Sequence, residues 1–446
     1  METTFQKDIE FNDQFAKAYD LLENGSTNIF ITGKAGTGKS TLLQYFRDHT
    51  TKNVAVLAPT GVAAVNIKGQ TIHSFFRFKP DITPEGVRAI RIRKTQKALY
   101  RKIDTIIIDE ISMVRADLLD CVDIFLRMHG RDRMCVFGGI QMVFIGDLYQ
   151  LSPVVTQAER GIFKDVYASP YFFDSKVYRE INGTDQHPRR VEFVELKKIY
   201  RQKEEEFIKL LGMIRNRSAT QEHLKTLNAR YIPHFKPEKD DFYVYLTTTN
   251  AMADKINQEK LNELEERSYF YEGTLAGKFG SRNLPTHQVL ELKAGAQVML
   301  LNNDSGGRWI NGSIGKISEI IDDGKVVTIE LSEGGIVDVT PFEWECFRFF
   351  FNEETQALES ESVGSFKQHP LKLAWAVTIH KSQGKTFDKA IVDVGTGTFA
   401  HGQAYVALSR CVSFDGLILK KPILRRHILL DNSVVRFMSS HKSSEN

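Results

Sequence analysis

Short apolar strands alternating with helical stretches predict an α/β protein built on doubly wound parallel sheets in two lobes. Three observations carry this expectation. Asn28–Thr32 reads as a buried strand, the glycine-rich loop Gly33–Ser40 follows, and Lys39–His49 has a helical pattern. More strands follow at Val54–Ala58, Thr105–Asp109 and Met142–Gly146, apolar on both faces as strands covered by helices must be. A second set begins near Val191, with strands expected at Val194–Ile199, Phe242–Thr248 and Ala390–Val394 and a helix at Ala251–Arg267.

The stretch Leu292–Phe366 differs from both sets. It is rich in Val, Ile and Gly, with turn signals at Asn302-Asn303-Asp304, Ser305-Gly306-Gly307, Asp322-Asp323-Gly324 and Ser332-Glu333-Gly334-Gly335. Closely spaced strands and turns predict a small antiparallel barrel inserted into the second lobe. The residues after Ser439 are polar and read as a disordered tail.

A chain of 446 residues, 42% hydrophobic and 26% charged, has the composition of a globular protein of several domains. The net charge of +3 is uninformative by itself, but the charge is clustered. Seven basic residues lie between Arg88 and Lys102 with no acidic one, and Lys420, Lys421, Arg425 and Arg426 form a shorter run. Each reads equally as a solvated helix face or as a nucleic-acid contact. Cys121, Cys135, Cys346 and Cys411 have no metal-site spacing and read as reduced thiols, which fits the cytoplasm. No apolar run approaches the ~18 residues of a membrane span, and Met1–Glu10 has no secretory pattern.

Gly33-Lys34-Ala35-Gly36-Thr37-Gly38-Lys39-Ser40 fits G-x-x-x-x-G-K-[ST] between a strand and a helix. Backbone N–H groups around Gly36, Thr37 and Gly38 would cradle phosphate oxygens. Lys39 would bridge the β and γ phosphates of ATP, and the Ser40 hydroxyl would meet Mg²⁺, with Thr41 beside it. The apolar strand Ile106–Ile108 delivers Asp109 to the magnesium and Glu110 to a water in line with the γ-phosphate. Gln150, in Gly146–Pro153, would report on the γ-phosphate or that water. Arg201 and Arg410, far from the loop in sequence, would fork onto phosphate oxygens from the second lobe. Gln14 offers a donor and an acceptor that match an adenine edge, although a solvated glutamine is the default for that position.

The order of these elements resembles the superfamily-one helicases of the class-B, RecD-like branch, and in particular the Pif (petite integration frequency) helicase family. The matching pieces are Gly33–Ser40, Ala58–Ala64, Thr71–Phe76, Asp109–Met113, Gly146–Pro153, Tyr200–Gln202, Thr378–Thr386 and Tyr405–Arg410, with Glu110–Met128 similar to the family's signature element. They span nearly the whole chain. The absence of a long N-terminal extension looks like a core-only, bacterial-type member.

The resemblance implies two RecA-like domains holding ATP between them. Residues 1–75 and 100–190 would form the first, interrupted by a wedge subdomain at 76–99. Residues 191–290 and 370–438 would form the second, interrupted by an SH3-like insertion at 291–369, with 439–446 as tail. Gly384 would join the nucleotide site. Pro59, Thr60, His73, Phe75 and Phe76 of the first domain, and Thr378, His380 and Ser382 of the second, would grip DNA. The implied activity is ATP-driven 5′→3′ movement on single-stranded DNA, unwinding 5′-tailed duplex, forked or G-quadruplex DNA in replication, repair or recombination. A monomer in the cytoplasm, on the nucleoid when active, is expected. The residues leave two other readings open: a DNA-stimulated translocase without strand separation, and a nucleotide-gated nucleic-acid clamp.

Overall fold

The computed structural model describes residues 11–157, 159–183, 188–238, 240–280, 284–321, 325–395 and 400–442. Six parallel strands form the first sheet: β1 (Asn28–Gly33), β2 (Val54–Ala58), β3 (Gln70–Thr71), β4 (Thr105–Ile108), β5 (Gln141–Ile145) and β6 (Val191–Leu196). Their spatial order is β3-β2-β4-β5-β1-β6. Successive residues of each strand serve opposite faces. Ile29 and Ile31 join Leu42, Phe46, Ile107 and Val143 beneath the helix Lys39–His49, whereas Phe30 joins Ile106, Ile108, Phe144 and Phe172 on the other side. Helices on both faces explain why β2, β4 and β5 are almost wholly apolar, whereas the outer strands β3 (Gln70–Thr71) and β6 (with Glu192 and Glu195) are not.

One strand belongs elsewhere than its sequence suggests. The pattern at Val194–Ile199 reads as the opening of the second lobe, but β6 closes the first sheet. It pairs with β1 along its whole length, Asn28 to Gly33 opposite Val191 to Leu196. That pairing buries Val191, Val194 and Leu196. The chain crosses between lobes directly afterwards, so Arg201 follows the strand that flanks the glycine-rich loop.

The second sheet is parallel, in the order Ala376–Thr378, Val244–Thr247, Ala390–Val392, Leu417–Leu419. Leu210, Leu211 and Ile214 of the helix Glu205–Arg215 pack in the same core as Val244, Leu246, Val392 and Leu417. The strands of the insertion pair antiparallel, and one strand of their sheet, Leu371–Leu373, lies beyond the expected span 291–369. Five strands run in the order Ile336–Val339, Val326–Leu331, Ile314–Ile321, Gln297–Leu300, Leu371–Leu373. Their core is Val298, Leu300, Ile317, Val327, Ile329 and Val339. The turn expected at 322–324 lies outside the described residues.

A long hairpin, Phe342–Asn352 with Ala357–Gln368, reaches from the insertion to the first lobe. The Phe349 backbone N–H donates to Gln70 Oε1 at 3.2 Å, and that of Leu358 to Asn53 Oδ1 at 2.7 Å. Short helices form at Pro84–Arg88 and Lys94–Lys102, the second running three residues past the segment 76–99 expected as a wedge. Arg88, Arg91, Arg93, Lys94, Arg101 and Lys102 are exposed there. Lys102 lies 5.3 Å over the Phe351 ring of the hairpin.

The C-terminal end also departs from expectation. The helix Asn432–Lys442 runs past Ser439 instead of fraying into a tail, and residues 443–446 lie outside the described residues. Val434 and Met438 sit in the Phe30 core of the first lobe, and the Phe437 ring stacks on Phe173 at 4.2 Å and 10°. Apolar residues at i, i+3 and i+4 give this helix one buried stripe. Burying it brings the end of the chain back across the second lobe to the first.

All four cysteines are free thiols. No helix among the described residues is long and apolar enough to cross a membrane.

Phe75 and Phe76, expected to stack on bases, are core residues instead. They are 4% and 0% exposed. Their rings meet edge to face at 4.8 Å, Phe76 meets Phe125 at 5.3 Å, and the Tyr100 hydroxyl donates to the Phe75 carbonyl at 2.7 Å. The short helix Ile72–Phe76 carries them inward because burying two large rings outweighs leaving them for a ligand. Phe76→Ala should therefore destabilise the protein by ~3–5 kcal/mol in chemical denaturation. Unchanged stability combined with lost DNA affinity would return this ring to the DNA surface.

Candidate nucleotide site between the lobes

β1 is buried along its length and opens into the glycine-rich loop at its carboxyl end, where open α/β sheets bind ligands. Gly36 (φ +78°) and Gly38 (φ +86°) take left-handed conformations that glycine adopts without strain. Gly36 is also a point of close approach. A Cβ there would lie 2.4 Å from Arg201 Cβ, and its carbonyl accepts from the Tyr200 N–H at 2.8 Å. Gly38 caps the helix Lys39–His49 without a side-chain bond, so no side chain of the cap takes the first-turn N–H groups. Lys39 Nζ donates to the carbonyls of Gly33 (2.9 Å) and Lys34 (3.0 Å). Burial pulls its pKa down, opposed by the charges of Asp147 and Glu110.

β4 delivers Asp109 and Glu110 beside this loop. The Glu110 N–H donates to Asp109 Oδ1 at 2.9 Å, and Glu110 itself sits at φ +53°, ψ +42°, a strained conformation for a residue with a Cβ. Burial, then the Asp109 charge, pushes the Glu110 carboxyl up to about 7, and burial also raises Asp109. Both carboxylates feel the Lys39 charge, and Glu110 that of Arg410, but burial outweighs it. Together with the Ser40 hydroxyl they offer the oxygen donors that a hard divalent cation takes, so the residues present fit Mg²⁺.

Residues of the second lobe complete the site. A cavity of about 1010 Å³ is lined on one side by Gly36–Thr41, Glu110 and Gln150, and on the other by Arg201, Gly384, Lys385 and Arg410. Arg410 is 1% exposed. Its guanidinium donates to oxygens of Val406 (2.9 Å), Lys385 (3.1 Å) and Ser409 (3.0 Å), none of them a carboxylate. Burial, with Arg201 nearby, brings its pKa down to about 9. Arg201 reaches the Ser409 carbonyl at 3.4 Å, and burial lowers it too. Buried cations without carboxylate partners are costly unless an anion arrives. Buried Arg410 and half-buried Lys39 and Arg201 converge here with backbone N–H groups, which is the requirement of a polyphosphate.

Several contacts across the cleft escaped the sequence reading. Gln383 Nε2 donates to Glu110 Oε2 (2.9 Å) and Gln150 Oε1 (3.4 Å). The Ala35 N–H donates to the Tyr405 hydroxyl at 3.0 Å. Arg215 pairs with Asp147 at 2.9 Å, both nearly fully buried, and lies 3.9 Å over the Tyr149 ring. Asp147 in turn holds Gln150 Nε2 at 3.3 Å. Burial opposes the Asp147 carboxylate, but Arg215 and Lys39 outweigh it and hold its pKa below the usual range. Gln383 and Tyr405 stand inside motifs already singled out, so their position was a usable signal. Arg215 lies on an amphipathic helix with no motif around it.

The other expected residues divide. Gln14 is half-buried and is not among the cavity-lining residues, where its neighbour Phe15 is found. Thr60 is exposed, but its hydroxyl oxygen already caps the helix Gly61–Asn66 by accepting from the Ala63 N–H. Pro59 and His73 are half-buried near it, and burial lowers the His73 pKa. In the second lobe only His380 is exposed. Thr378 is buried with its hydroxyl accepting from the Lys381 N–H, and buried Ser382 donates to the Ile379 carbonyl at 2.8 Å. In this conformation both hydroxyls shape the loop and present no surface to a DNA strand.

Residues 10–225 match the sequence profile of PIF1-like helicases. An ATP-dependent DNA helicase Pif1 from Bdellovibrio bacteriovorus is 33% identical over 445 residues, covering 96% of this chain and 92% of the relative. The structure of Bacteroides sp Pif1 in complex with ADP-AlF4 aligns with TM-score 0.88 at 36% identity, covering 98% of both chains. Bacteroides Pif1 bound to ssDNA aligns at 36% identity over 98% of this chain and 99% of its own, with TM-score 0.70. The chain belongs to the PIF1-like helicase family, with two RecA-like domains, and is an ATP-dependent DNA helicase.

Proposed function

We propose that ATP enters the cavity between the lobes with its phosphates on the 33–40 loop, and that its hydrolysis drives 5′→3′ movement along single-stranded DNA. The movement separates duplex at 5′-tailed forks and melts G-quadruplexes, in the cytoplasm, on nucleoid DNA in replication, repair or recombination. The observation that carries this reading is the shared lining of one cavity by Lys39, Glu110, Arg201 and Arg410.

Lys39 would leave the Gly33 and Lys34 carbonyls for the β and γ phosphates. Ser40 and Asp109 would hold Mg²⁺, which neutralises phosphate charge as it develops. Glu110 orients a water whose oxygen attacks the γ-phosphorus, while the bond to the β-phosphate oxygen breaks and ADP departs. Arg201 and Arg410 offset charge on the transferred group from the opposite lobe. Gln383 bonds both Glu110 and Gln150, so separation of the lobes withdraws a contact from the groups that handle the water. The attraction between γ-phosphate and the two arginines closes the cleft, and its loss after hydrolysis lets the cleft open.

DNA would lie over the carboxyl ends of both sheets. Thr60, Pro59 and His73 follow β2 and β3, and His380 follows the strand Ala376–Thr378. Opening one base-pair step takes ~1.4 kcal/mol on average, small beside the free energy of one ATP. Protein partners are outside this reading, which needs only a monomer.

Three outcomes are expected. Lys39→Ala abolishes ATP turnover and unwinding while single-strand binding persists in fluorescence anisotropy; full unwinding by this variant would refute the scheme. Arg410→Ala lowers DNA-stimulated ATP turnover by ~10³–10⁵ in steady-state assays; a loss below tenfold would remove the arginine from phosphoryl transfer. With ATP and magnesium, a duplex with a 5′ tail is unwound and one with a 3′ tail is not. Rapid ATP turnover with neither duplex opened would leave a translocase instead.

A further inference from the structure

Lys385 also lines the nucleotide cavity, from the segment that follows Gln383 and Gly384. Its carbonyl accepts from Arg410 Nη1 at 3.1 Å, so its backbone is tied to the arginine opposite the glycine-rich loop. Among the described residues, the hydrogen-bond partner of its ammonium is the side-chain oxygen of Asn311, at 2.6 Å. Burial pushes its pKa down to about 8. Two acids at the cavity mouth are engaged elsewhere, Asp240 with Lys316 at 2.6 Å and Asp241 with Lys389 at 3.2 Å. A half-buried ammonium held by a neutral amide oxygen is a poor resting state, and it is tolerated where a ligand uses the charge.

Asn311 is built to hold that lysine. It lies in the insertion, and its backbone N–H donates to Asn303 Oδ1 at 2.8 Å. Its side-chain Nδ2 donates to Asn66 Oδ1 of the first lobe at 3.1 Å, which turns the amide oxygen toward Lys385. Gly312 follows at φ +108°, with the Lys385 side chain 3.5 Å from where a Cβ would stand.

We infer that Lys385 is a further phosphate-directed cation of the second lobe, and that Asn311 is the partner it leaves when a nucleoside triphosphate enters. The inference rests on the reading that ATP phosphates occupy this cavity. Phosphate and Asn311 then compete for one ammonium. The two residues should have opposite effects on affinity, which a merely structural pair would not.

The test is equilibrium binding of a non-hydrolysable ATP analogue with Mg²⁺ to the full chain. K385M should weaken binding about tenfold, the scale of one charge-assisted hydrogen bond. N311A should tighten it a few-fold, and in the K385M/N311A double variant the effect of N311A should vanish because no ammonium remains to compete for. Native affinity in K385M, or weaker binding in N311A with an unchanged thermal melt, would overturn the inference. K39A separates the two levels. If K39A loses the analogue while K385M does not, Lys385 alone has been misassigned. If neither variant weakens binding, the phosphates lie elsewhere and the cavity reading fails with it.

Discussion

The whole arrangement depends on desolvated positive charge whose hydrogen bonds, among the described residues, go to carbonyl and hydroxyl oxygens and not to a carboxylate. Lys39, Arg201 and Arg410 all face one cavity, and carbonyl or hydroxyl oxygens hold them in place. Burial destabilises each charge, as their lowered pKa values record. A triphosphate relieves all of them at once, so its binding energy is available to draw the two lobes together. When the terminal phosphate is gone, part of that attraction goes with it. The nearby ion pair of Asp147 and Arg215 is the contrast, because its charges already satisfy each other and ask nothing of a ligand.

That pair and the hydrogen bonds around it join the two lobes at the cleft. Tyr405 takes an N–H of the glycine-rich loop, and Gln383 touches the carboxylate placed to handle water. These bonds run between groups separated by more than 230 residues, so they form only when both sheets are in place. The left-handed conformation at Glu110 belongs to the same set. Such strain persists only where surrounding packing determines it.

Two further segments tie the lobes. The hairpin of the insertion pairs backbone groups with Gln70 and Asn53, and the last helix returns Phe437 and Met438 to the core around Phe30. The second lobe is thus flanked by its own insertion and its own C-terminal helix, both resting on the first.

That the glycine-rich loop, Glu110 and the two arginines would meet was legible in the chain, and they line one cavity. The parallel strands were legible because burial on both faces leaves only apolar residues. Side-chain direction was not legible. Phe75 and Phe76 look the same in sequence whether they stack on bases or fill a core, and only the position of the helix Ile72–Phe76 over Tyr100 and Phe125 decides for the core. Ser382 likewise turns inward because a local carbonyl is the nearer partner. The sheet that β6 joins and the lobe that the last helix covers were also decided by tertiary packing. An apolar stripe states that it must be buried, and the surface that buries it exists only once the rest has folded.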